Sequence, residues 1–245
     1  MFHSLILGLV TAATPKPTAI IRHLDFHFAV TVERDAVTHG SGIGAGGGGI
    51  SGVNHARSSE YDEGTIIADV VGVRSDLGLV LNVSEISRRV APIPQAQCIV
   101  WGIGTVVCEP GKQVTSEERG LLRFLGRGFI NRSSIDGRGH WNYGVSSKDQ
   151  SENSDYTLVR DKGDPLQVRF QRVTKAPGPM GFDATTNGTV LYSETLTVPM
   201  RIDEDTMLRT QMIDGDYIPG GYEQVRTTMD FRLTDDSLSA AARTP

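Results

Sequence analysis

The sequence lacks several features that would assign it to a large functional class. It has no basic run longer than pairs such as Arg88-Arg89, and its net charge is −5, from 24 Lys and Arg against 29 Asp and Glu. Nucleic-acid binding needs clustered cations, so no nucleic-acid partner is expected. The short apolar run from Leu5 to Ala13 falls well below the roughly 20 residues that cross a bilayer, so no transmembrane segment is predicted. No Gly-x-Ser-x-Gly motif marks a nucleophile.

The two ends of the chain are predicted to lie outside one folded domain. The apolar run ends in small residues before Pro15 and Pro17, which is typical of a secretory signal peptide, although a positively charged start is missing. Residues 1–18 are interpreted as a signal-like or flexible segment, with an ordinary strand or helix as the alternative. Residues 19–236 then form a single β domain, and residues 237–245 a flexible tail. A signal-like start predicts export to the periplasm or the extracellular space; a cytoplasmic location is the alternative.

Alternation of apolar and polar residues dominates the rest of the chain. Between Ala19 and Glu33 the even-numbered positions are apolar except Arg22, and between Gln224 and Leu233 the odd-numbered positions are apolar except Thr227. Period two is typical of strands with one buried face, as antiparallel sheets allow. The predicted fold class is therefore mostly β: a single antiparallel meander that forms a strongly curved sheet or an open or half barrel.

One helix is predicted, over about residues 116–129, packed on this sheet. Thr115 and Glu118 form a capping-box pattern, and Leu121, Leu125 and Phe129 follow at helical spacing. Such an architecture resembles the half-barrels of periplasmic lipoprotein carriers. The resemblance is one of architecture, with no shared motif and no family implied.

The only two cysteines are predicted to form a disulfide bond. Residues 98–108 read as two short strands around Gly102-Ile103-Gly104, and counting outward from that hairpin loop places Cys98 opposite Cys108. Cross-strand neighbours lie close to disulfide range. Two buried free thiols in a reducing compartment are the alternative.

The candidate metal ligands are His23, Asp25 and His27. Alternate residues of a strand point to the same side, so two imidazoles and a carboxylate could share a transition metal such as zinc. The alternative is an ordinary solvent-facing row of polar residues, because the opposite parity of this strand is the apolar one. Nothing else in the sequence calls for a cofactor, and none is expected.

A glycine-rich stretch over residues 39–53 is predicted to be a flexible loop, since no regular element usually tolerates so much glycine. No Lys-Ser/Thr pair and no βαβ unit accompanies it, so a nucleotide-binding role is not indicated. The loop glycines are Gly40, Gly42, Gly44, Gly46, Gly47, Gly48 and Gly49.

Three functions compete. The first is a non-enzymatic, exported binding or carrier protein, whose curved sheet could hold a hydrophobic small molecule or a lipid. The second is a metal-dependent enzyme that uses the His-x-Asp-x-His strand. The third is a structural or assembly protein with interlocking subunits.

Overall fold

The computed structural model describes residues 19–43, 49–89, 91, 94–102, 104–112, 114–126, 129–130, 132–178, 181–214 and 218–238. This part of the chain forms eleven strands and one helix. The strands are β1 (Arg22–Ile43), β2 (Gly49–Val73), β3 (Leu79–Ser87), β4 (Ala96–Val100), β5 (Val106–Cys108), β6 (His140–Ser146), β7 (Ser151–Arg160), β8 (Leu166–Ala176), β9 (Phe182–Ser193), β10 (Val198–Asp214) and β11 (Ile218–Asp236), and the helix is α1 (Ser116–Leu122).

All eleven strands belong to one antiparallel sheet, in the order β5-β4-β3-β2-β1-β11-β10-β9-β8-β7-β6. Strands that follow each other in the chain are neighbours in the sheet, with the exception of β5 and β6. The first and last strands, β1 and β11, pair with each other at the centre. The edges of the sheet are therefore β5 and β6, and the connection between them carries α1.

The sheet curls until its two edges approach each other. Thr105, next to β5, and Tyr143 of β6 have their hydroxyl oxygens 3.0 Å apart, yet no backbone ladder among the described residues joins these edges. The inward face follows from the alternation in the sequence: Leu24, Phe26 and Phe28 point inward and are only 1–2% exposed. The predicted fold class, one curved and open antiparallel sheet with a single helix, is confirmed.

The helix is shorter than predicted, because α1 ends at Leu122 rather than near residue 129. Its start is as expected: Thr115 Oγ1 accepts a hydrogen bond from Glu118 N–H at 2.9 Å, and the Glu118 carboxylate accepts one from Thr115 N–H at 2.9 Å. The chain then forms tighter turns of the 3₁₀ type, since the amides of Phe124 and Leu125 each donate a hydrogen bond to the carbonyl three residues earlier. Gly126 packs directly against the backbone of the β4–β5 hairpin, where a Cβ atom has no room.

The cysteine prediction is confirmed. Cys98 of β4 lies directly opposite Cys108 of β5, and their sulfur atoms are bonded. Neither thiol is free, so the alternative of two free thiols is wrong. The disulfide bond closes a hairpin at one edge of the sheet, close to the segment that leads into α1.

The glycine-rich stretch is not one long loop. β1 continues through Ile43, β2 begins at Gly49, and the ends of the two strands pair with each other. The loop prediction is therefore wrong for Gly40, Gly42 and Gly49, because interstrand hydrogen bonds can hold a backbone that carries no side chains. The remaining loop glycines, Gly44, Gly46, Gly47 and Gly48, lie outside the described residues.

The signal-like segment 1–18 and residues 239–245 also lie outside the described residues. The last strand ends at Asp236, and the described residues continue to Leu238. Ser237 Oγ accepts a hydrogen bond from His23 N–H at 3.0 Å, and Leu238 N–H donates to the Asp236 carboxylate at 3.0 Å. Within the described part, no helix has the length and apolar character to cross a membrane.

Candidate functional site

The concave face of the sheet is filled by the end of α1 and the turn that follows it. Five of their side chains are buried, with 0–5% of their surface exposed: Leu121, Leu122, Phe124, Leu125 and Phe129. We call these five residues the plug. A seven-residue helix has little stability of its own, so the plug holds its shape through contact with the sheet.

The far end of the plug sits among aromatic rings. The Phe129 ring centroid lies 5.6 Å from that of Tyr156 and 5.4 Å from that of Tyr192. Trp141 stacks on Tyr156 with a centroid separation of 5.2 Å. These rings come from β6, β7 and β9, so they line the apolar floor of the concave face with flat surfaces.

The near end of the plug is anchored through a hydroxyl group. Thr115, which caps α1, donates from Oγ1 to Glu85 Oε2 of β3 at 2.5 Å. Glu85 is only 4% exposed, and burial raises the pKa of its carboxyl group to about 7. Burial also raises the pKa of Glu118. Two buried carboxyl groups therefore meet at the start of the segment that fills the sheet.

A row of polar residues crosses the concave face beside the apolar floor. Ser154, Arg172, Thr186 and Thr206 lie directly opposite one another across β7, β8, β9 and β10. The hydroxyl oxygens of Thr186 and Thr206 are 2.9 Å apart. We call these four residues the polar row. The inner surface thus changes from aromatic to polar along the strands.

Arg172 is the buried cation of this row. Its guanidinium lies 5.5 Å from the ring centroid of Phe170 and 6.0 Å from that of Phe124 in the plug. Its carboxylate neighbours, Glu152 and Glu204, are each 3.8 Å away. Arg172 Nε and Glu204 Oε1 are buried without a hydrogen-bond partner among the described residues. Burial raises the pKa of Glu204, while Arg172 opposes that rise.

A cleft of about 340 Å³ opens where the two sheet edges approach each other. We call it the seam cleft; its polar lining includes Thr105, Glu109, Lys112, Arg119, Arg123, Tyr143 and Glu152. Arg123 connects the cleft to the polar row, because its guanidinium contacts the Glu152 carboxylate at 3.1 Å. Arg123 also follows Leu122 directly in the chain, so a charged residue of the cleft adjoins the plug at this point.

The predicted metal ligands are only partly brought together. His23 Nε2 and Asp25 Oδ1 are 3.1 Å apart on the face opposite the core. His27 is exposed and is not a member of the cluster. Asp235 takes its place: the donor atoms of His23, Asp25 and Asp235 all lie within 4.8 Å of one another. Asp235 is opposite Asp25 in the ladder of β1 and β11, next to a register shift.

A further carboxylate orients the histidine of this cluster. Asp69 Oδ1 of β2 is 2.6 Å from His23 Nδ1, and this hydrogen bond is the main cause that raises the pKa of His23. A carboxylate on Nδ1 leaves Nε2 as the ring nitrogen that faces Asp25, 3.1 Å away, and metal-binding histidines are held in this way by a carboxylate on the other nitrogen. One imidazole and two carboxylates could hold a transition metal such as zinc. An imidazolium between carboxylates has the same geometry.

Sequence reasoning missed the buried charges, although a signal for them exists. Arg172 follows Leu166, Val168 and Phe170 on the apolar parity of β8. Glu204 likewise follows Ile202 on the buried parity of β10. A charged residue on the apolar parity of a strand is costly to bury unless it is paired, so its presence marks an unusual site.

No family model matches this chain, and no curated protein matches it. Among solved structures, one of lipid–protein interactions in lipovitellin is similar with a TM-score of 0.43 and 9% sequence identity. That likeness covers 90% of this chain and 26% of the lipovitellin chain, so this chain spans about a quarter of that protein's length. The class of protein is therefore described by its architecture alone: an open, curled antiparallel sheet whose concave face is filled by the plug.

Proposed function

We propose that this is a non-enzymatic, exported binding protein of the carrier type, which holds a hydrophobic or amphipathic ligand against the concave face of its sheet. One observation carries the proposal. The apolar face of an eleven-stranded sheet is covered by a short helix and a turn, where a second layer of regular structure is the usual cover. The plug occupies the place that a ligand tail would take.

The attachment of the plug suits a segment that exchanges with a ligand. The polar anchors of this segment include the Thr115–Glu85 hydrogen bond, the Arg123–Glu152 ion pair and, just beyond the plug, the exposed Arg132–Glu194 ion pair. A ligand tail that enters the concave face replaces apolar contacts with equivalent ones, so the net cost of moving the plug stays small. The aromatic floor and the polar row together favour an amphipathic ligand over a purely apolar one.

Export is proposed from the Cys98–Cys108 disulfide bond. Disulfide bonds persist in the periplasm and in extracellular spaces, whereas the cytosol keeps most thiols reduced. A carrier for hydrophobic molecules has a clear use in those aqueous compartments.

A metal-binding role is the second candidate, and the observation that favours it is the Asp69–His23 hydrogen bond at 2.6 Å. This bond fixes the ring with Nε2 toward Asp25, and Asp235 lies in the same cluster. One oriented imidazole and two carboxylates are a donor set that suits zinc. The ligands proposed for it are now His23, Asp25 and Asp235.

The carrier proposal is tested by looking for a ligand and for a site that binds one. Native mass spectrometry and organic extraction of the purified protein are expected to reveal a bound hydrophobic molecule. Titration with a fluorescent hydrophobic probe is expected to show saturable binding. Phe124→Ala enlarges the concave space and is expected to strengthen probe binding, whereas Ile86→Ala removes an exposed side chain and leaves it unchanged. Absence of both a bound molecule and saturable probe binding overturns the proposal.

A further inference from the structure

We infer that the seam cleft binds an anionic group, a carboxylate or a phosphate. In the proposed carrier this group is the head of the ligand, so that assignment rests on the proposed function. The anion site itself is argued from the charges and the geometry of the cleft.

The cleft contains cations that have no ion-pair partner among the described residues. Lys112 and Arg119 line it, and neither takes part in a salt bridge there. Arg119 is exposed and lies in the last turn of α1. With Arg123 the lining carries three cations against the carboxylates of Glu109 and Glu152. The imbalance favours a ligand with negative charge.

A second layer of charge lies behind the cleft. The Arg172 side chain is 7% exposed and that of Glu204 is 4% exposed. Arg172 approaches Glu152 only at 3.8 Å, so Glu152 is shared between Arg123 at the cleft and Arg172 behind it. Arg172 Nε and Glu204 Oε1 are both buried and lack hydrogen-bond partners among the described residues. Buried polar atoms of this kind normally have a hydrogen-bond partner. A polar ligand group that binds beside Glu152 changes the contacts of these buried charges directly.

Hydroxyl groups add a donor beside the cations of the cleft. The Thr105 and Tyr143 hydroxyl oxygens line it and lie 3.0 Å apart, so one of the two donates to the other and the second keeps its proton for a ligand. Guanidinium and hydroxyl donors together match the oxygens of carboxylate and phosphate.

The cleft proposed for the ligand head directly adjoins the apolar space proposed for its tail. Arg123 caps the C-terminus of α1, and the next residue, Phe124, is a fully buried member of the plug. An anion held at Arg123 and Arg119 therefore sits one residue away from the apolar space. A volume of about 340 Å³ lies at the small end of the roughly 300–1,000 Å³ found for pockets of drug-sized ligands, so the cleft is assigned to the head group alone.

The test compares ligands that differ only in their head groups. Dodecyl phosphate, dodecanoate and dodecanol are titrated into the full chain by calorimetry at low and at high salt, and inorganic phosphate is titrated alone. The two anionic amphiphiles are expected to bind about tenfold more tightly than the alcohol, and high salt is expected to reduce that difference.

Matched variants assign the effect to the cleft. Arg119→Gln is expected to remove most of the preference for an anionic head over the dodecanol hydroxyl. Arg138→Gln removes the same charge from an exposed position outside the cleft and is expected to have no effect. Arg123→Gln is expected to act like Arg119→Gln, and a thermal unfolding curve shows whether it is folded. Because Arg119 is exposed, its variant decides the question even where Arg123→Gln does not fold.

The outcomes separate this inference from the carrier proposal. Equal binding of alcohol and anions, or a preference that survives Arg119→Gln, overturns the anion site and leaves the carrier intact. Binding of inorganic phosphate that Arg119→Gln weakens, with no amphiphile bound, supports the anion site and overturns the carrier. No binding of any probe overturns both.

Discussion

Replacing Glu85 by glutamine is expected to stabilise the protein at neutral and alkaline pH. Glu85 is 4% exposed and accepts a hydrogen bond from the Thr115 hydroxyl. That one bond does not compensate the burial of a full negative charge, and the pKa of the carboxyl is raised to about 7. Glutamine keeps the size and an acceptor oxygen for Thr115 but carries no charge.

The magnitude follows from linkage between protonation and folding. The native carboxyl titrates at about 7 and the unfolded one at its ordinary 4.5, so between these values the native state binds more protons. The free energy of unfolding therefore falls as pH rises through this range and stays low above it. The difference corresponds to about 3 kcal/mol, from roughly 1.4 kcal/mol for each pKa unit. Glu85→Gln is expected to recover that amount near pH 8 and almost none of it near about pH 4.5.

Urea unfolding followed by the fluorescence of Trp101 and Trp141 measures this effect at a series of pH values. Subtracting the wild-type curve from that of Glu85→Gln isolates the contribution of the one carboxyl group from all other titrations. Glu109→Gln, at an exposed position, is the control and is expected to give a small difference. A Glu85→Gln variant that is less stable than wild type near pH 8 refutes the reasoning, because the buried charge of Glu85 is then stabilising rather than destabilising.

Three further predictions concern the disulfide bond, the plug and the metal cluster. Replacing Cys98 and Cys108 together by serine is expected to cost about 2–3 kcal/mol of unfolding free energy, and an unchanged urea midpoint contradicts it. Phe124→Ala, at a fully buried position, is expected to cost about 3–5 kcal/mol; a loss below about 1 kcal/mol, the range of surface substitutions, shows that the plug is loosely packed. Zinc is expected to bind wild type and His27→Ala by calorimetry and not His23→Ala, whereas loss in both variants contradicts the revised ligand set.

Several features follow from local patterns in the sequence. Period-two alternation from Ala19 to Glu33 identifies the first strand and its inward face, since side chains alternate across any strand. The pairing of Cys98 with Cys108 follows from counting outward from a short hairpin loop. The capping box at Thr115 predicts the start of α1 correctly. Each of these depends only on residues that lie close together in the chain.

Other features arise from pairings between residues that are distant in the chain. Pairing of β1 with β11 at the centre brings Asp235 to His23 and leaves His27 aside. The end of α1 also escapes local reasoning: the spacing of Leu125 and Phe129 is helical, but packing of Gly126 against the β4–β5 hairpin favours a turn. Side-chain spacing indicates which residues are buried, whereas tertiary contacts decide whether those residues form a helix or a turn.

The candidate site belongs almost wholly to the tertiary structure. The sequence by itself determines that the sheet is antiparallel and two-faced, that one helix is capped at Thr115, and that the cysteines can meet. Only the three-dimensional fold decides that the plug fills the concave face and that Arg123, Glu152 and Arg172 converge at the seam. The physical reason is that alternation and capping are properties of neighbouring residues, whereas the register and curvature that align distant strands depend on packing of the whole sheet.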